Sequence, residues 1–317
     1  MKKNVFYQKI IICLLGIFAL NTAAEQLHFS KIEQNNGYQF NYQWRDHNNS
    51  QQSMSFTLSK AALFERFRSF RTYKTEFAKK AIFQAMNTAW QSSAIDGVQV
   101  TFPNTKGQNN ISVNGVNPQN VTKAYQKLTE LEQQSTANYL AANFYHKFTT
   151  HQQVSAIKPN HVQIANAAVA DIIAIKPLIL KNVSNKNIRT VTDYVLSFIQ
   201  SIPYSDLESR VSSSGAGFNP PLKVLWENQG DCDSKVTLTA SLLRLLMPKI
   251  PMVLVFVDKH ALIGLAVPAK EGELTIVKDE LTYVLAEPTG PALFSLGHIS
   301  GRSEQAILSG HYITEKY

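Results

Sequence analysis

At 317 residues, with 44% hydrophobic and 17% charged side chains, 14 glycines and 12 prolines, the chain falls outside the disordered, collagenous and disulfide-scaffold classes. Domains typically hold roughly 100–200 residues, so there is room for two folding units, each able to bury a core. The formal charge of +8 is modest and includes a basic leader.

Residues 1–24 read as a signal peptide. Lys2, Lys3 and Lys9 supply the positive start, Ile10 to Leu20 the apolar run, and Thr22-Ala23-Ala24 the small residues for cleavage. Without its three lysines the rest of the chain carries 28 basic against 23 acidic side chains, +5, which is no nucleic-acid signature. The apolar run is shorter than the about 20 residues of a membrane span, so a cleaved leader is the first reading and a retained anchor the second. Later apolar stretches are interrupted, Ala167 to Leu180 by Asp171, Lys176 and Pro177. Cys13 leaves with the leader. The exported chain, periplasmic or secreted, then has Cys232 alone and forms no internal disulfide.

After the leader, Tyr38, Phe40, Tyr42 and Trp44 alternate with polar residues, and Met54, Phe56 and Leu58 do so beyond the turn-rich stretch 46–50. This pattern predicts an antiparallel hairpin with one buried face. Ser59 is placed to cap a helix beginning near Lys60, and helical spacing from Phe77 to Trp90 continues to Asp96-Gly97. Short strands are expected at Val98–Phe102 and around Ile111–Val113, then a long helix from Pro118 towards Phe144. The polar stretch 182–187 reads as a boundary between an N-terminal α+β region, 25–186, and a second unit, 187–317. That unit opens with a helix capped at Thr190 and ended by Ile202-Pro203-Tyr204, followed by a polar loop over 205–221. Within the loop, Gly215-x-Gly217 is no dinucleotide fingerprint, because no strand precedes it.

The residues that carry chemistry begin at Gly230-Asp231-Cys232-Asp233. The apolar positions that follow predict a buried helix with Asp231 as its N-cap and Cys232 in the first turn. There the unpaired N–H groups and the helix dipole stabilise a thiolate. A nucleophilic thiol needs a base, and the base an orienting acceptor. Pro251 to Val257 reads as a strand, Asp258-Lys259 as a turn, and His260 as the start of the next strand. Tyr283 to Ala286 forms a third, which ends at Glu287-Pro288-Thr289. Antiparallel neighbours in this order bring His260 and Glu287 to one sheet edge facing Cys232. Trp226 and Gln229 are both candidate side-chain donors to an oxyanion, and the sequence does not choose between them. Gly297-His298 offers a rival base without a comparable acid.

These three motifs together resemble the bacterial transglutaminase-like cysteine peptidase superfamily, over about residues 188–300. Glu287 stands where that family more often carries Asp, and Ala261 where many members have an aromatic residue. The resemblance implies an α+β fold with a papain-like core, a Cys232-His260-Glu287 triad, and acyl transfer on peptide or protein amides, by hydrolysis or transamidation. The rival class is a non-catalytic binding module of the cell envelope with a vestigial triad. No cofactor is expected. His146-x4-His151 lacks a partner at metal-ligand spacing, so no metal is expected either. Residues 60–80 hold seven basic side chains against Glu65 and Glu76. They form either a solvated face or an attachment to an anionic envelope surface; export argues against nucleic acid.

Overall fold

The computed structural model describes residues 24–68, 70–103, 110–149, 154–183, 185–208 and 217–317. Residues 1–23 of the expected signal peptide, His151 and residues 209–216 of the expected loop lie outside them. The fold is α+β, with antiparallel sheets.

Strands β1 (Gln26–Gln34), β2 (Gly37–Arg45) and β3 (Gln51–Ser59) form a sheet in that order. The expected hairpin is β2–β3. Its alternation buries Phe40, Tyr42, Trp44, Met54, Phe56 and Leu58, and its turn closes on Asp46, whose Oδ1 accepts from the N–H groups of Asn48 and Ser50. Ser59 caps α1 (Lys60–Phe64) by accepting from Ala62 N–H. The helical pattern then breaks before α2 (Thr75–Ser92). In the break Phe70 turns inward to stack on Tyr145, with ring centroids 5.4 Å apart, while Arg66 is drawn to Asp171.

The hairpin β4 (Val98–Thr101)–β5 (Ser112–Gly115) and α3 (Pro118–Ala142) pack with α2 around Met86, Trp90, Ala124 and Leu128. Next come β6 (Tyr145–Thr149) paired with β7 (Ser155–Pro159), α4 (His161–Ala168), a 3-10 turn at Ile173–Ile175, and α5 (Lys176–Asn182). In α6 (Ile188–Ser201) the cap is Asn187 rather than Thr190: Asn187 Oδ1 accepts from Thr190 N–H at 2.9 Å. The amide group one turn earlier reaches the free N–H, so the helix starts sooner than expected. A short helix, α7 (Pro221–Glu227), precedes α8 (Cys232–Leu246).

The C-terminal sheet has the order β10-β11-β9-β8-β12, antiparallel throughout. Its strands are β8 (Met252–Val257), β9 (His260–Leu265), β10 (Thr275–Lys278), β11 (Leu281–Ala286) and β12 (Ile313–Lys316), with α9 (Gly301–Leu308) before the last. The face towards α8 joins the main core; the other buries Val253, Val255, Leu262, Tyr283 and Leu285 with Ile307 of α9.

The main core crosses residue 186 without a break. Phe40, Tyr42 and Trp44 share one buried cluster with Val195 and Phe198 of α6, Leu238 of α8 and Ile263 of β9. Tyr42 Oη donates to Leu225 O at 3.0 Å, and Trp44 Nε1 to Ser197 Oγ at 3.1 Å. The connection after α5 therefore links two parts of one core. Among the described residues no single helix is long and apolar enough to cross a membrane.

Candidate active site

Helix α8 is buried against α4, α6, α7 and β9 along most of its length, and its first and last turns reach the surface region. Asp231 starts the helix, with extended backbone and Oδ1 accepting from Ser234 N–H at 2.9 Å. Cys232, 8% exposed, is thereby held at the helix N-terminus. The turn between β8 and β9 places Lys259 in the left-handed region, at φ 55, and returns the chain at His260. Ala286 pairs with Ile263, so the chain leaving β11 at Glu287 passes the start of β9. Antiparallel register, set by buried alternation, thus brings two residues 27 positions apart to one end of the sheet.

His260 Nδ1 lies 2.8 Å from Cys232 Sγ. His260 Nε2 lies 3.0 Å from Glu287 Oε1, an ion pair whose direction falls outside hydrogen-bond geometry. Burial works against a charged imidazole, but the Cys232 sulfur and the Glu287 carboxylate outweigh it and push His260 up to about 10. The imidazole therefore keeps its proton through neutral pH. Burial also works to raise Glu287, yet His260 and the Ser300 N–H hold it below its ordinary range. Glu287 Oε2 accepts from Ser300 N–H at 2.9 Å. Ser300 caps α9, so the carboxylate sits where a helix dipole favours negative charge. Gln200 Nε2 fixes the same segment from beneath, donating to Glu287 O at 2.8 Å and Phe294 O at 2.9 Å.

One turn into α8, fully buried Lys235 donates from Nζ to Ile202 O. Burial pulls this ammonium down to about 8, with the neighbouring Cys232 opposing the shift. His161 is also fully buried, between the rings of Phe218 and Phe256, and burial pulls it down to about 3, so it is neutral. Its Nε2 is 3.6 Å from Asp233 Oδ2. The Asp233 side chain keeps 40% of its surface, while burial of the remainder and the nearby Asp231 push its carboxyl up to about 7.

Cys232 and His260 open onto a cleft of about 1020 Å³. Phe148, Phe256 and Ile313 form apolar wall, Lys158 lies 2.5 Å from Glu315, and Tyr204 stands beside Asp231 and Cys232. Neither Trp226 nor Gln229 lines this cleft. Trp226 packs edge-on against Tyr38 and Phe64 with the Lys31 ammonium 3.6 Å over its ring, and Gln229 Nε2 turns to Glu227 Oε2 at 3.4 Å. Apolar burial captured the tryptophan, and the left-handed Asn228 turned the chain between them. His298, the rival base, is exposed and 3.3 Å from Ser295 Oγ. Among the described residues no group of three or more His, Cys, Asp or Glu side chains could hold a metal ion, and His146 lies 3.2 Å from Glu315.

Sequence reasoning missed Tyr204, Ser300, Gln200 and Lys235. Only Ser300 left a legible signal, a cap before the helical spacing of Ile307. In the basic stretch 60–80, Lys60 pairs with Glu33 at 2.7 Å and Arg66 with Asp171 at 2.5 Å, while Arg68, Arg71, Lys74, Lys79 and Lys80 stay exposed.

The arrangement is a thiol, an imidazole and a carboxylate in series at a cleft floor, equipped to attack a carbonyl carbon and return a proton to the leaving group. No family model, curated protein or solved structure matches the chain.

Proposed function

We propose that the chain is an exported, thiol-dependent acyl-transfer enzyme, a transglutaminase-like cysteine peptidase or amidase acting on peptide or protein amides. The observation that carries this reading is the contact series from Cys232 Sγ to His260 Nδ1 at 2.8 Å and from Nε2 to Glu287 Oε1 at 3.0 Å. The proposed core is papain-like, with the nucleophile helix α8 packed on an antiparallel sheet that carries base and acid in the order Cys, His, acid.

In the proposed reaction the Cys232 sulfur forms a bond to the amide carbon, and the C=O electron pair moves onto oxygen. Collapse of that intermediate breaks the C–N bond, and the leaving nitrogen takes the His260 proton. Water then attacks the thioester, His260 accepts its proton, and the sulfur leaves with the bonding pair. An amine in place of water gives a new amide from the same acyl-enzyme. Export rests on the character of residues 1–24, and it makes a solitary, structurally unpaired thiol meaningful. Cofactor chemistry forms no part of the proposal. The exposed cations of the 68–80 stretch are the candidate contact with an anionic envelope surface.

The second reading, a binding module with a vestigial triad, draws on the off-axis contact between His260 Nε2 and Glu287. Iodoacetamide alkylation of the purified chain at pH 7 separates the two. The enzyme reading expects Cys232 to react many times faster than free cysteine, and the advantage to vanish in His260→Ala. Alkylation at the free-cysteine rate, unchanged by His260→Ala, would leave the binding module standing.

A further inference from the structure

A thiol, base and acid do not by themselves stabilise the negative charge that develops on the carbonyl oxygen, and a donor aimed at that charge is worth several kcal/mol in acyl transfer. The two side chains that the sequence put forward for this work, Trp226 and Gln229, do not line the cleft. Tyr204 does, next to Asp231, Cys232 and Asp233.

Three observations single it out. Its backbone is bridged in parallel to Gly230, two residues before the nucleophile, with Gly230 N–H donating to Pro203 O at 3.3 Å and Ser205 N–H to Gly230 O at 3.2 Å. The backbone that carries the ring is thereby tied to the segment leading into α8. The residue is 54% exposed although it is a large aromatic one, so packing in the core does not account for its position. Its hydroxyl has no hydrogen-bond partner among the described residues. Two other donors of the cleft are engaged elsewhere, Lys158 with Glu315 and Ser309 with Ala306 O.

We infer that Tyr204 is a further catalytic residue, its phenol O–H donating to the oxyanion of the tetrahedral intermediate formed at Cys232. This inference rests on the acyl-transfer reading. The backbone N–H of Cys232, among the N-terminal N–H groups that have no partner within a helix, supplies the second donor. As Sγ–C bonding forms, the carbonyl π pair localises on oxygen, and the two N–H and O–H dipoles receive it. As the C–N bond breaks, the pair returns to the carbonyl and Tyr204 keeps its proton. Burial chiefly, and then the negative charge near Cys232, hold the phenol above its ordinary range, which keeps it a donor throughout neutral pH.

The test uses two probes of the same sulfur. Iodoacetamide reacts by displacement at a saturated carbon and forms no oxyanion, whereas p-nitrophenyl acetate acylates through one and releases nitrophenolate. The full chain is compared with Tyr204→Phe, which removes only the O–H, and with Tyr204→Ala. Tyr204→Phe is expected to slow the nitrophenolate burst about tenfold or more while changing the alkylation rate less than twofold, and Tyr204→Ala to repeat that split. A burst unchanged in Tyr204→Phe overturns the role of Tyr204 alone. Burst and alkylation falling by the same factor also overturn it, because the hydroxyl then acts on the sulfur. A wild-type sulfur no faster than free cysteine towards both probes overturns the acyl-transfer reading, and this inference with it.

Discussion

Glu287 is the residue whose chemistry distinguishes a working relay from a structural remnant. It is 5% exposed, tied at Oε2 to Ser300 N–H, and opposite His260 at Oε1. In Glu287→Gln one acceptor and the side-chain size remain, so the fold should persist while Cys232 alkylation at pH 7 falls about tenfold or more, as expected when the imidazolium loses the carboxylate that stabilises it. The same substitution has a signature in stability. His260 is raised in the folded chain from 6.5 to about 10, so its contribution is complete below pH 6.5 and is lost as pH rises towards 10. Removing the carboxylate lowers the folded value, which narrows the window and moves the loss to lower pH. Thermal midpoints measured from pH 6 to 10 on both proteins check this: parallel curves would show that Glu287 does not govern the imidazole.

At the scale of elements, the site depends on where a few segments end. Asp231 starts α8, the β8–β9 turn returns at His260, and the end of β11 hands over to the loop 287–290. Gly290 fixes that loop against α6. A Cβ there would come 2.1 Å from Gln200 O, a backbone atom that cannot swing away. Gly290→Ala should therefore destabilise the chain by about 1–3 kcal/mol, the usual cost of overpacking. It should also lower Cys232 reactivity, because the loop carries Glu287 and Gln200 holds its carbonyl. Chemical denaturation alongside alkylation reads both effects; a stability loss with reactivity intact would mean that the loop and the carboxylate move independently. Gly264 plays a comparable part in the middle of β9, where a Cβ would meet Val253 Cγ1 at 2.8 Å and Tyr283 Cβ at 2.9 Å, so its absence lets neighbouring strands close on the central one.

For the molecule as a whole, the N-terminal sheet is part of the wall behind α6 and α8. Trp44 is fully buried, packs against Phe198 with centroids 5.2 Å apart, and donates to Ser197. A fragment of residues 187–317 would expose the α6 face that Phe40, Tyr42 and Trp44 cover. It is expected to be aggregated or molten when made alone, and Trp44→Ala in the full chain to cost about 3–5 kcal/mol. Circular dichroism in the near ultraviolet decides the first point: a folded, soluble fragment with fast Cys232 alkylation would establish an autonomous unit. Lys158 of β7 with Glu315 of β12 adds a polar tie between the two regions beside the cleft. The first region therefore contributes walls to the site as well as core.

Much of this was legible in the sequence because it is local. The alternation in β2 and β3, the Ser59 and Asp231 caps, and the turn before His260 each depend on residues a few positions apart. So does the position of Cys232 at a helix N-terminus, with imidazole and acid following in chain order at the start of β9 and just past the end of β11. Other features depended on contacts between distant residues. The helical pattern after Lys60 was broken by the inward turn of Phe70, Trp226 was drawn into an aromatic cluster with Tyr38 and Phe64, and edge strands β10 and β12 formed on partners already in place. Tyr204 reached the thiol through a bridge to Gly230, 26 residues further on. Propensity and capping act within a turn or two of backbone, so the sequence by itself determined most of the elements and the place of Cys232 at a helix start. Burial is shared among all residues that can exclude the same water, so only the tertiary structure decided that both halves form one core and which side chains surround the sulfur.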